Sequence, residues 1–478
     1  MAMGTRRDQQ KELWIPSCTL ARPTSHPFYE RLNQLLAKHD FDRFVEGHCQ
    51  RFYAATMGRP GLAPGIYFRL LLIGYFEGID SERGISWRAG DSLSLREFAG
   101  IRLNEAAPDH TTISRTRRLI DVETHQQVFG WVLELLADAG LVKGKRIGID
   151  ATTLEANAAM RSIVRRDNGQ SYEAFLTGLA QQSGIATPTR EELARLDRKR
   201  KKKASNDDWV NPYDPDARIT KMKDGRTHLA HKAEHAVDMD TGAVVAVTLQ
   251  DADLGDTTTV KETLVEAGFK VAELVEREAG MRPTEEPQVN LGGIEELVAD
   301  KGYHSGPALQ EMKDTGVRTY ISEKKQPGKR HWIGKEKERE AVYANRRRLQ
   351  RPKGKQLLRK RGELIERTFA HCYDTGGMRR THLRKHDNIR KRLLIHVAGM
   401  NLGLLLRSQY GIGTPRGLQG LSQILDLLVA LIAQPVIQTN PANSRVTARS
   451  PVAPHYQLLF CAHLRRFEIQ KRTSNPGC

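Results

Sequence analysis

The chain has 478 residues, with 75 Lys and Arg against 57 Asp and Glu, a formal charge of +18 and a pI near 9.7. This length leaves room for two or three domains with cores of their own, and the cationic excess favours a polyanionic partner, nucleic acid first among them. Five cysteines without a CxxC pair exclude a zinc ribbon and a disulfide framework; the opening MAMGTRRDQQ lacks the apolar stretch of a signal peptide, and Leu427–Ala433 is too short to cross a bilayer. A reducing, cytoplasmic setting with no membrane partner is the expectation.

Residues 1–57 form a first segment, in which HPFYERLNQLLAKHDFDRFVEGHCQRFY reads as helical. GRPGLAPG then punctuates the chain with Gly and Pro, and residues 58–140 read as consecutive helices. In PDHTTISRTRRLI, Asp109 or Thr111 can cap a helix carrying Arg115, Arg117 and Arg118, an arrangement suited to DNA. From Lys145 the period changes to that of strands. KRIGIDATT predicts a strand ending in Asp150, and residues from about 160 to 222 are polar enough to be a partly mobile insertion. HLAHKAEHAVD and AVVAVTLQ flank the turn Asp240–Gly242 as a hairpin. Asp256 can cap a helix from Thr257, ELVA leads into Asp300, a helix follows from Pro307, and VRTYIS is a last short strand. The run Lys324–Arg361 is dense in cations, and a final helix begins near Gly362 and carries GELIERTFAHCY. Beyond residue 405 the chain loses periodicity, so 406–478 is expected to be poorly ordered.

Three antiparallel strands followed by helix-linked strands describe an α/β fold. The order is similar to the ribonuclease-H-like mixed sheet with flanking helices, here over residues 145–405 and preceded by an all-helical domain. In that fold the first and fourth strands are neighbours, which would set Asp150 beside Asp300, with Glu366 closing the cluster from a helix. Clustered carboxylates stay ionised together only around a cation, and oxygen-only ligands suit Mg²⁺ or Mn²⁺. Two such ions can clamp the attacking and leaving oxygens of a phosphoryl transfer.

IDATTLEANA, KAEHAVDMDTGAVVAVTLQDADLGD, ADKGYHS and ERTFAH resemble, in that order, the catalytic domain of DDE transposases of bacterial insertion sequences. RPGLAPGIYFRLLLIGYFEGIDSERGISWR and PDHTTISRTR are similar to the helical domain preceding it in the same group. The resemblance implies Asp150, Asp300 and Glu366 as catalytic, metal-binding residues holding two ions. It also implies cleavage at element ends, transfer of the 3′-hydroxyl strand to target DNA, and a homo-oligomer that pairs two ends. Glu363, one helical turn earlier, is the alternative third acid. A nuclease that hydrolyses without joining, or a dead DNA-binding relic, are the alternative functions.

The DNA track is expected at Arg115, Arg117, Arg118, Lys301, Arg346, Arg347, Arg348, Lys355, Arg359, Lys360, Arg361 and Arg367, with Trp332 and Tyr343 able to stack on exposed bases. His228, His231 and His235 scatter over both faces of a strand, so they do not make a zinc site; His235 alone is expected near the acids or DNA. Asp253 and Asp256 read as turn and cap residues, and His304 as a turn residue or phosphate contact. AGLVKGKRIG lacks the Ser or Thr of a P-loop, so no nucleotide cofactor is expected.

Overall fold

The computed structural model describes residues 26–54, 61–200, 204–222, 224–281, 287–325 and 330–418. Of the tail expected to be poorly ordered, 406–478, the residues to Tyr410 continue a long helix and Pro415–Leu418 form a 3₁₀ turn, whereas 419 onward lies outside these residues.

Seven helices open the described chain: α1 (Pro27–Lys38), α2 (Phe41–Cys49), α3 (Pro64–Phe76), α4 (Glu82–Asp91), α5 (Leu93–Ala99), α6 (His110–Leu119) and α7 (Val122–Asp138). Local chemistry sets their starts. Side chains of Ser81, Ser92, Asp109 and Asp121 accept backbone N–H bonds at the heads of α4 to α7. α3 is apolar on almost every side and is buried nearly throughout, as such a helix must be.

The second half alternates strands and helices: β1 (Arg146–Glu155), β2 (Val164–Arg165), α8 (Tyr172–Gln182), α9 (Arg190–Lys199), β3 (Trp209–Val210), β4 (Arg218–Lys221), β5 (Thr227–Asp238), β6 (Val244–Asp251), α10 (Asp256–Met281), β7 (Glu296–Ala299), α11 (Gly306–Asp314), β8 (Arg318–Ile321), α12 (Glu336–Gln350), α13 (Pro352–Phe369) and α14 (His386–Tyr410). β6, β5, β1, β7 and β8 lie side by side in that order, and β4 extends the sheet along the outer side of β5. β1 is antiparallel to β5 and parallel to β7. This is the order expected from the sequence, with first and fourth core strands adjacent. The β5–β6 turn closes at Gly242, whose φ of +84° favours glycine.

Both outer strands are capped by an asparagine. Asn401 of α14 bonds the backbone N–H and C=O of Val244 on β6, and Asn345 of α12 does the same for Ile321 on β8. Each supplies the pairing that a further strand would offer, which closes an edge to other chains. α14 also packs on α3 and α7, so one hydrophobic core runs from the opening helices into the sheet.

Three expectations change. β1 does not stop at Asp150 but continues to Glu155, because β5 is long enough to pair it as far as Ala230. The final helix begins not near Gly362 but at Pro352, a residue with φ suited to the first helical turn, so the cationic run contains α12 and the start of α13. The polar insertion holds α8, α9 and a two-stranded sheet, with Trp209 packed between Tyr172 and Phe175; its few apolar residues suffice for small cores of their own.

Candidate active site

The parallel register of β1 and β7 ends at Ile149 opposite Ala299. The next residue of each strand is an aspartate. Asp150 and Asp300 therefore emerge side by side, about one strand spacing (roughly 4.8 Å) apart in backbone, where β7 stops and β1 runs on. Burial pushes the pKa of Asp150 up, Arg361 opposes it, and the charge of Asp300 adds a smaller upward push. Arg361 of α13 donates from Nη to Asp150 Oδ2 at 2.6 Å, and the N–H of Ala151 bonds Oδ1 at 2.9 Å.

Asp300 also has a local task. Its Oδ1 accepts from the Gly302 N–H, capping the short 3₁₀ turn Lys301–Tyr303. Gly302 lets the turn pack closely: a Cβ would overlap Asp256 Oδ2 and come within 2.7 Å of Asp300 Oδ1, so one or both carboxylates would have to shift. So Asp256, at the head of α10, crowds against the Asp300 turn. It is held by Lys232 Nζ at 2.7 Å, and that ammonium also bonds Thr259 Oγ1 at 2.9 Å. Beneath the turn Tyr303 donates to buried Glu234 Oε1 at 2.7 Å, and Thr259 and Thr263 donate to the same carboxylate. Burial raises the pKa of Glu234 against these donors. Sequence reading missed this support, although KAEH placed two ionisable residues at alternate positions of a strand otherwise buried on both faces.

Glu366 is exposed on α13, and its carboxylate has no ion-pair or hydrogen-bond partner among the described residues. Glu363, also exposed, is engaged by Arg367 at 2.8 Å. Arg361 and Ile365 pack over Gly148 of β1, while Leu364 packs against Gly242 at the far end of the strand from Asp150. At about 100° per residue, Glu366 stands roughly 200° round the helix from Leu364, and Glu363 only about 100°. Among the described residues no group of three His, Cys, Asp or Glu is arranged to hold an ion. The two aspartates nevertheless suit a divalent cation: the donors are all carboxylate oxygens, and a cationic side chain already sits on one of them.

The histidines have other duties. His235 pairs across β5 with Asp150 but is fully buried, with Nδ1 3.0 Å from Thr368 Oγ1 and Nε2 2.6 Å from Tyr373 Oη. It ties β5 to α13 and to the π-helical turn Ala370–Thr375. His231 lies 3.2 Å from buried Asp214, and His228 2.9 Å from Asp224. His304 is buried. Asp253 accepts from Asn206 Nδ2 at 3.0 Å.

The cations divide by exposure. Arg115, Arg118, Lys301, Arg347, Lys355, Arg359 and Arg367 are exposed. Arg346 pairs with Glu323 at 2.9 Å, Arg348 bonds Thr319, and Lys360 is half-buried. Arg117 differs: it is buried between Glu82 at 2.6 Å and Asn388 Oδ1, and so joins α6 to α4 and α14. The Trp332 and Tyr343 rings lie 6.3 Å apart, with the Arg346 guanidinium 4.9 Å from the Tyr343 ring.

A ribonuclease-H-like sheet whose first and fourth strands set two aspartates side by side, one within β1 and one just past the end of β7, defines a class of phosphoryl-transferring nucleic-acid enzymes. Family comparison narrows it. Residues 19–119 match the family described as transposase domain (DUF772), and residues 198–402 match the transposase DDE domain. The chain belongs to the DDE transposases of insertion-sequence type, metal-dependent enzymes that act on DNA. Asp300 and Glu366 fall inside the second match, whereas Asp150 lies between the two and owes its place to the sheet. No curated protein and no solved structure matched the chain. Among the described residues, no helix is long and apolar enough to cross a membrane.

Proposed function

We propose that this transposase cuts DNA at the ends of its own element and joins the freed 3′-hydroxyl to target DNA, with Asp150, Asp300 and Glu366 as the metal-holding acids. The observation that carries this reading is the register of β1 with β7, which brings two aspartates from distant parts of the sequence to one edge. Glu366 is preferred to Glu363 because it opens the ERTF text that resembles the family's, and because Arg367 already occupies Glu363. Asp150, Asp300 and Glu366 would hold the divalent ions, which when bound would supply neutralisation of charge on the transferring phosphoryl group and activation of the attacking water or hydroxyl.

The chain's own residues bind and orient. The Gly302 N–H and the Lys232–Asp256 pair fix the turn that presents Asp300. Exposed Lys301, Arg347, Lys355, Arg359 and Arg367 are the cations assigned to DNA on the catalytic domain, and Arg115 and Arg118 those on α6. Buried Arg117 is left out of this track. Pairing two element ends calls for at least two copies of the chain.

The test is cleavage of a plasmid carrying the element's ends, with Mg²⁺ or Mn²⁺. Wild type should leave 3′-hydroxyl ends, and Asp300→Asn should lower the rate on the order of a thousandfold. Glu366→Gln should match that loss and Glu363→Gln should not. Tight DNA binding without cutting by wild type would favour a DNA-binding relic instead.

A further inference from the structure

The guanidinium of Arg361 lies where a cation is called for. It holds Asp150 Oδ2 at 2.6 Å, yet its Nε is buried and has no partner among the described residues. Arg218 and Arg390 also carry a buried Nε without a partner while pairing with a carboxylate; what differs at Arg361 is that the carboxylate is Asp150. Arg361 is anchored through that single carboxylate. Its reach depends on Gly148, since a Cβ there would come within 2.6 Å of Met239 Sδ and 3.1 Å of Ile365 Cδ1. The bare strand lets α13 lie close, and closeness carries the guanidinium to the acid.

We propose that Arg361 is a built-in counterion that competes with the divalent ion for Asp150. The inference rests on Asp150 being a metal ligand. An arginine cannot give up its proton to make way, so the side chain itself must leave Oδ2 when an ion binds there. Arg361 thereby sets the ion concentration at which the site fills, and keeps the aspartate compensated below it.

Iron(II) in place of Mg²⁺, with ascorbate and peroxide, makes hydroxyl radicals that cut the backbone beside a bound ion. Scission of the full chain near residues 150 and 300 would be followed against iron concentration. Arg361→Gln should lower the half-maximal concentration roughly three- to tenfold, the scale of one partly exposed ion pair. Arg361→Lys should fall between, because an ammonium keeps the charge without the fork, and it decides the matter if the glutamine variant does not fold. Arg379 bonds Thr152 Oγ1 at 3.1 Å, two residues along β1, and brings the same charge without touching Asp150; Arg379→Gln should stay within about twofold of wild type. Equal concentrations for wild type and Arg361→Gln, with cuts at both aspartates, overturn the proposal and leave the metal reading standing. An equal shift in Arg379→Gln overturns it as a general charge effect. Scission near neither aspartate in any protein removes the metal reading, and the proposal with it.

Discussion

His235 offers a quantitative handle on how the catalytic sheet is held. Burial lowers its pKa from 6.5 to about 3. Between these two values only the unfolded chain takes up the proton, so stability is intact above the unfolded value and falls as pH falls below it. At pH 5 the unfolded ring is protonated about thirtyfold over neutral, worth about 2 kcal/mol, while at pH 8 the contribution vanishes. Burial also lowers His125 and His396 to about 3. Together the three rings withdraw about 6 kcal/mol between pH 8 and 5, comparable with the whole stability of many domains. Buried carboxylates such as Asp150, Glu234 and Asp238, whose pKa values are raised, act in the opposite sense. The clean measurement is therefore a difference. Urea unfolding of wild type and His235→Gln would be compared at pH 8 and pH 5. Glutamine loses well-formed bonds to Thr368 and Tyr373 but cannot take the proton, so its deficit should shrink by about 2 kcal/mol at the lower pH. Parallel stability curves over that range would show that His235 is not kept neutral by burial, and would refute the reasoning.

Other substitutions separate support from contact. Gly302→Ala should cost about 1–3 kcal/mol by overpacking and should depress cleavage as well, since the new methyl pushes Asp256 and Asp300 apart; unchanged cleavage would show that the Asp300 turn tolerates displacement. Arg117→Ala should destabilise by about 3 kcal/mol, because it leaves Glu82 enclosed without its cation, and a melting curve would reveal this directly. Arg115→Ala should leave the melting curve in place but weaken DNA binding, reducing the slope of log K against log salt by about 0.9. An unaltered slope would remove α6 from the DNA track.

The sequence carried the succession of the core strands along the chain, because alternating runs separated by turn residues identify strands without tertiary help. The hairpin around Gly242 and the cap at Asp109 are local events of the same kind. Helix propensity inside the cationic stretch was obscured: charge says solvent, and only packing of Ala341, Val342 and Leu357 against the sheet reveals which side of α12 and α13 is inward. The elements inside the insertion went unread for the same reason, as small cores need few apolar residues.

Chain position alone made Asp150 and Asp300 candidates, since an acid following a buried apolar run is a local oddity that sequence displays. Their adjacency is a matter of parallel pairing between remote strands, which no local pattern encodes. Tertiary structure also sorted the arginines: Arg115, Arg117 and Arg361 look alike in sequence, yet one faces solvent, one is clasped by Glu82 and one sits on Asp150. Burial and partner decide what a charge does, and both are properties of the assembled fold.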